Sequence, residues 1–90
     1  MTSYTLKYDN KFIKQLKKLD RSVAVIIKKW IEKNLLNTTN PRVHGKALVG
    51  NLNKYWRYRI GDYRLLVEID DNNLVIVAID IGHRRSIYKK

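Results

Sequence analysis

Three arginines, Arg57, Arg59 and Arg64, flank a Gly61-Asp62 pair in a stretch rich in aromatic and β-branched residues. If that pair is a two-residue hairpin turn, Ile60 faces Tyr63, Arg59 faces Arg64 and Arg57 faces Leu66 across the ladder. Side chains alternate along a strand, so the three guanidiniums emerge on one face of the sheet, within reach of a common ligand. Like charges directly opposite one another cost a few tenths to about 1 kcal/mol, and an anion between them offsets that repulsion. Arginine suits the task because its planar fork grips phosphate bidentately and never loses its charge. The plainer alternative is a solvated face on which Glu68, diagonal to Arg57, relieves part of the repulsion. A second concentration of chemistry follows: residues 82–90 (GHRRSIYKK) carry His83, Arg84, Arg85 and Tyr88. Histidine exchanges protons near neutrality, a phenol is acidified by surrounding cations, and arginine stabilises charge developing on a phosphate. Together such groups can cleave a phosphodiester; the alternative is a basic tail with Tyr88 tucked against the core. His44, close to Pro41 and beside Gly45, reads as a loop residue. Lys11, Lys14, Lys17 and Lys18 read as a solvated helix face, with sequence-independent contacts to a nucleic-acid backbone as their functional alternative.

The elements that must position these groups follow from periodicity. Residues 4–8 (YTLKY) alternate as a short strand, and Asp9 or Asn10 is a credible N-cap for a helix bearing Phe12, Ile13, Leu16 and Leu19 at helical spacing. Asp20 ends that helix and can cap a second, from about residue 22 to 36, with a stripe of Val23, Ile26, Ile27, Trp30, Ile31 and Leu35. Residues 37–45 (NTTNPRVHG) are polar and contain the chain's one proline, which makes them the link to a different second half. There, residues 54–60, 63–69 and 74–81 read as three strands joined by Gly61-Asp62 and by residues 70–73 (DDNN). The third is apolar at nearly every position, as befits an interior strand covered on both faces. Trp56 and Tyr58 alternate with the arginines and should face the helices. The expected fold is α+β: an N-terminal strand and a two-helix hairpin packed on a small antiparallel sheet, in one domain spanning residues 1–90.

Composition narrows the function. Nineteen Lys and Arg against eight Asp and Glu give a net charge of +11, which calls for an anionic partner. With 44% hydrophobic residues, four glycines and one proline, the chain is not a disordered tail. It has no cysteine, which removes disulfides, thiolate metal sites and Cys nucleophiles. Two distant histidines and scattered carboxylates supply no metal-ligand spacing, and Walker, Rossmann and serine-hydrolase patterns are absent. No stretch resembles a signal peptide or a membrane span, so a cytoplasmic protein is expected.

The residues that carry these features also resemble a known family. FIKQLKKL at residues 12–19, HGKAL at 44–48 with Gly50, WRYRIGDYR at 56–64, and the closing GHRR at 82–85 with Ile87-Tyr88 are similar, in order and spacing, to the RelE family of bacterial type II toxins, particularly its RelE/StbE-like branch. The resemblance spans nearly the whole chain. It implies the compact, microbial-ribonuclease-like fold of those toxins. It also implies a metal-independent, cofactor-free endoribonuclease that enters the ribosomal A site and cuts mRNA, the 2′-hydroxyl attacking the adjacent phosphate to leave a 2′,3′-cyclic phosphate and a 5′-hydroxyl. The family's basic pair on one strand is matched by Arg57 and Arg59, its next-strand arginine by Arg64, and its later arginine and C-terminal tyrosine by Arg84 and Tyr88. Where the best-known member has lysines, this chain has arginines, which cannot act as general base. The resemblance therefore leaves Tyr88 as base, Arg84 as transition-state clamp and possible relay to the leaving oxygen, His83 as rival base or acid, and Arg57, Arg59, Arg64, Lys54 and Arg85 as holders of RNA phosphates. The partners it implies are an acidic RelB-like antitoxin, mRNA and the ribosome with its RNA, and operator DNA only through the antitoxin complex; a membrane is not among them. Two other readings stay open: a ParE-like toxin that poisons DNA gyrase without nuclease chemistry, and a non-catalytic, nucleic-acid-binding corepressor.

Overall fold

The computed structural model describes residues 2–48 and 54–83. Its elements run β1 (Thr5–Tyr8), α1 (Asn10–Lys18), α2 (Arg21–Asn34), β2 (Lys46–Ala47), β3 (Tyr55–Ile60), β4 (Tyr63–Asp70) and β5 (Val75–His83). The carboxylate of Asp9 accepts the Lys11 backbone N–H at 3.0 Å and caps α1, whose last turn carries Lys17 and Lys18, where positive charge complements the helix dipole. Asp20 takes the N-cap position of α2 but makes no side-chain cap bond; its carbonyl receives the Ala24 N–H at 2.9 Å.

The strands form one sheet in the order β1-β5-β4-β3-β2. Strands β2 to β5 pair antiparallel, as the turn residues demand. β1 differs: it pairs with β5 in parallel, with Thr5 beside Val75 and Tyr8 beside Ala78, so the sheet is mixed rather than antiparallel throughout. A parallel neighbour needs a long crossover, and here both helices and the remaining strands lie between β1 and β5 in the chain. β2, a two-residue edge strand too short for an alternation signal, was not foreseen.

One face of the sheet meets the helices. Phe12, Ile27, Ile31 and Leu35 from the helical half are buried against Tyr58, Ile60, Leu65, Val67, Ile69, Ile76, Ala78 and Ile81 from the strands. Tyr58 and Trp56 point to this face as the alternation requires, and Trp30 packs on Tyr58 with ring centroids 5.2 Å apart. Ile26 departs from the expected stripe and is 61% exposed, because it sits one helical step off the line of Ile27 and Ile31. β5 is an interior strand, with Ile76, Ala78 and Ile81 buried, but Val75, Val77 and Ile79 on its remaining positions are only half-buried. The helices cover one face, and among the described residues no element covers the other.

β5 also carries a bulge: Leu66 pairs with Asp80 and Val67 with Ala78, which leaves Ile79 as the extra residue. Beyond Ala78, whose carbonyl binds the Asp9 N–H at 2.9 Å, β1 no longer flanks β5. The side chain of Gln15 on α1 takes over, its Oε1 accepting the Ile81 N–H at 3.0 Å. The last residues of β5 are thereby held in the sheet without a strand on that side.

Candidate active site

The β3–β4 register is the one the turn predicted: Ile60 opposite Tyr63, Arg59 opposite Arg64, Arg57 opposite Leu66. Gly61 makes the turn possible with φ +59°, a left-handed conformation that costs a glycine nothing. Since Tyr58, Ile60 and Leu65 are buried under the helices, the intervening Arg57, Arg59 and Arg64 share the opposite face. They line a cleft of about 460 Å³ together with Trp30, His44, Gly45 and Lys46.

The second wall of that cleft is the segment before β2, and four contacts fix it. The buried phenol of Tyr58 donates to the Pro41 carbonyl at 2.5 Å. Burial pushes this phenol's pKa upward, so it stays a donor. Arg42 grips Asp71 with both guanidinium nitrogens, at 2.9 and 3.1 Å, while its guanidinium lies 5.5 Å from the ring centroid of Trp56. The Trp56 indole N–H donates to the His44 carbonyl at 2.6 Å. Gly45, at φ +80°, then passes directly against the backbone of β3, where a Cβ would collide with the Arg57 carbonyl oxygen. Immediately afterwards Lys46 pairs with Arg57 in β2–β3. Three strands and a pinned loop thus deliver four cationic side chains and one imidazole to a single concavity.

Not every candidate from the sequence arrives there. Lys54 stands 3.6 Å from Glu68 and over the Tyr55 ring, outside the residues lining the cleft. Glu68 thus answers Lys54, on the strand position opposite Tyr55. His83 pairs with Tyr63 and packs on its ring, with centroids 5.4 Å apart. Gly82 is the residue beside Arg64, so alternation sends His83 to the face away from the arginines. Arg84, Arg85 and Tyr88 lie outside the described residues, as does Gly50. In the other direction, His44, read as a loop residue, and Trp30, read as part of a helix stripe, join the cleft, as does Lys46, to which neither periodicity nor spacing assigned a role. The signal was the Gly45 between His44 and Lys46, a residue free to bring the chain flush against β3.

The family of the ParE toxin of the type II toxin–antitoxin system parDE is matched over residues 6–88. The chain belongs to this family of type II toxins. Within it the resemblance is to proteins of the RelE type. Toxin RelG of Mycobacterium tuberculosis is 29% identical over 97% of this chain and 98% of its own length. The putative toxin RelE4 of Methanocaldococcus jannaschii is 33% identical over 90% of this chain and 83% of its own. Among solved structures, a chain of the toxin–antitoxin complex RelBE2 from Mycobacterium tuberculosis superposes with a TM-score of 0.79 at 28% identity, covering 93% of this chain and 94% of that one. The two helices on a five-stranded mixed sheet are therefore the RelE-type toxin fold, and the cleft lies beside β3, where the three arginines meet the segment leading into β2 and Trp30 of α2.

Proposed function

We propose that this RelE-type toxin is a ribosome-dependent endoribonuclease that cuts mRNA in the A site, without metal or cofactor, by attack of a 2′-hydroxyl on the adjacent phosphate. The observation that carries this reading is the convergence of Arg57, Arg59 and Arg64, with Lys46, on one cleft. Guanidiniums fixed on a sheet hold a phosphodiester in register and stabilise the extra negative charge of a pentacoordinate phosphorus without having to reorganise. Tyr88 is assigned the proton of the attacking 2′-hydroxyl and Arg84 the phosphoryl oxygens. Arg85 and, from outside the cleft, Lys54 add contacts to flanking phosphates.

The partner in this reading is an acidic RelB-like antitoxin. It is supported by the net charge of +11 and by a relative of the same fold having been solved as a toxin–antitoxin complex. Ribosomal RNA and mRNA are the other polyanions that such a surface serves, and operator DNA enters through the antitoxin complex. The place of action is the cytoplasm, where ribosomes are; no helix among the described residues is long and apolar enough to cross a membrane.

A second reading is favoured by the family match itself, which is to ParE toxins: poisoning of DNA gyrase with no nuclease chemistry. Mapping mRNA 5′ ends by primer extension after brief induction separates the two. Cuts inside translated codons that disappear in Arg64→Ala, Arg84→Ala and Tyr88→Phe support cleavage through these residues. Growth arrest with intact mRNA would overturn it in favour of gyrase.

A further inference from the structure

The arginines of the cleft can hold charge but cannot hand over a proton, because a guanidinium stays protonated throughout the working pH range. The alkoxide expelled from a phosphodiester needs one. Among the residues that line the cleft, His44 supplies the one imidazole, the side chain most often used for general acid–base catalysis.

Its setting is that of a held functional group. The main chain at His44 is fixed, its carbonyl tied to the Trp56 indole at 2.6 Å and the next residue, Gly45, seated against β3. The ring itself is left open to the cleft: it rests edge-on against Trp30, with centroids 6.1 Å apart and planes at 65°, and the residue is exposed. The charged groups that share the cavity with it are Lys46, Arg57, Arg59 and Arg64; Trp30 from α2 is uncharged. The other histidine of the chain, His83, packs on Tyr63 and is turned to the opposite face.

We propose that His44 is the general acid of this cleft, which protonates the 5′-oxygen as it leaves the scissile phosphate. The assignment rests on the ribonuclease reading above. In the step, the 2′-oxygen forms its bond to phosphorus as its proton passes to the base. The bond from phosphorus to the 5′-oxygen breaks, and the imidazolium N–H gives its proton to that oxygen. Neutral His44 then regains a proton from water as the base loses one, so no other reactant is consumed. Lys46, on the same rim, is left as a phosphate contact.

The test uses the purified full chain, ribosomes programmed with an mRNA, and single-turnover cleavage. Two mRNAs are compared, one with the natural 5′-oxygen at the scissile position and one with a 5′-bridging sulfur, which leaves as a thiolate without needing a proton. His44→Gln keeps the backbone carbonyl bond to Trp56. It is expected to slow the oxygen substrate by about 10²- to 10⁴-fold and to cut the sulfur substrate at close to the wild-type rate. His44→Ala with imidazole added to the buffer provides a second route: recovery of oxygen-substrate cleavage supports the assignment. An oxygen-substrate rate equal to wild type overturns it. So does an equal loss on both substrates, which would make the ring a binding element or the base. In both of those outcomes the ribonuclease reading survives, whereas a wild-type protein that leaves both mRNAs intact on the ribosome removes that reading and His44 with it.

Discussion

Gly45 lies so close to Arg57 that the carbonyl oxygen of the arginine occupies the space a side chain at position 45 would need, with the Tyr58 ring and the Trp56 indole nitrogen 2.8 and 2.9 Å from the same point. Two independent requirements therefore fall on this glycine: a positive φ, at +80°, and the absence of a Cβ. Gly45→Ala is expected to lower stability by about 1–3 kcal/mol and to push the wall carrying His44 and Lys46 away from β3. Urea unfolding measures the first effect. The second is read as a loss of cleavage larger than the remaining folded fraction explains. Gly61→Ala is the informative comparison, since a Cβ there meets nothing within 4 Å and only the φ of +59° is strained.

The clamp between Arg42 and Asp71 ties the cleft loop to the turn after β4, and Tyr4 joins it with its hydroxyl donating to Asp71 at 2.7 Å. The guanidinium and, secondarily, the phenol hold the Asp71 carboxyl below its ordinary pKa. A carboxyl whose pKa is lower folded than unfolded adds stability above its unfolded value and loses that contribution as pH falls through the folded one. The stability gap between wild type and Asp71→Asn should therefore be present at neutral pH and close in acid, below the usual carboxylate range. Asp71 is about half exposed, with 54% of its side chain accessible, so the gap at pH 7 is modest, about 0.2–1 kcal/mol. Thermal melts of both proteins from pH 7 down to pH 3 check the sign; a gap that widens in acid would contradict it.

Tyr58 is the buried end of the same loop's anchorage. Tyr58→Phe keeps the ring under Trp30 but leaves the Pro41 carbonyl without its donor, which costs about 1–3 kcal/mol when the group stays dry. Because Pro41 leads directly into Arg42 and His44, this variant should also loosen the cleft wall. Faster amide exchange at His44 and Gly45 than across β4 would register that loosening.

The parts of the site built by local rules were legible in the sequence. A two-residue turn with glycine at its first position sets the register of the strands it joins, and alternation then decides the face of Arg57, Arg59 and Arg64 without knowledge of the rest of the fold. The same reasoning put Trp56 and Tyr58 under the helices. What local rules do not contain is which segment comes to lie beside that face. His44 and Lys46 reach it through long-range contacts, from Tyr58 to Pro41, from Arg42 to Asp71 and from Trp56 to His44, none of which has a periodicity to read. The parallel placement of β1 is hidden for the same reason, since pairing direction emerges only when the helical crossover has folded. His83 ends β5 next to the Gly82 that pairs with Arg64, and the single step from Gly82 to His83 turns it to the other face.

Arg59 and Arg64 face each other directly in the ladder, so the folded protein carries a repulsion between them that a bound anion relieves. Neutralising one of them should therefore help the fold while it harms function. Arg59→Gln is expected to raise unfolding stability by a few tenths to about 1 kcal/mol at low ionic strength. The gain should shrink as salt rises, because Arg59 is exposed and its field is screened over about 10 Å at 0.1 M. The same substitution should reduce mRNA cleavage by about 10²- to 10³-fold, the usual loss when one fixed donor to developing negative charge is removed. Urea titrations at two salt concentrations, paired with cleavage rates on programmed ribosomes, give both numbers from one preparation. A variant that lost stability and activity in proportion would show instead that Arg59 is a structural residue and that its side chain does not meet the phosphate.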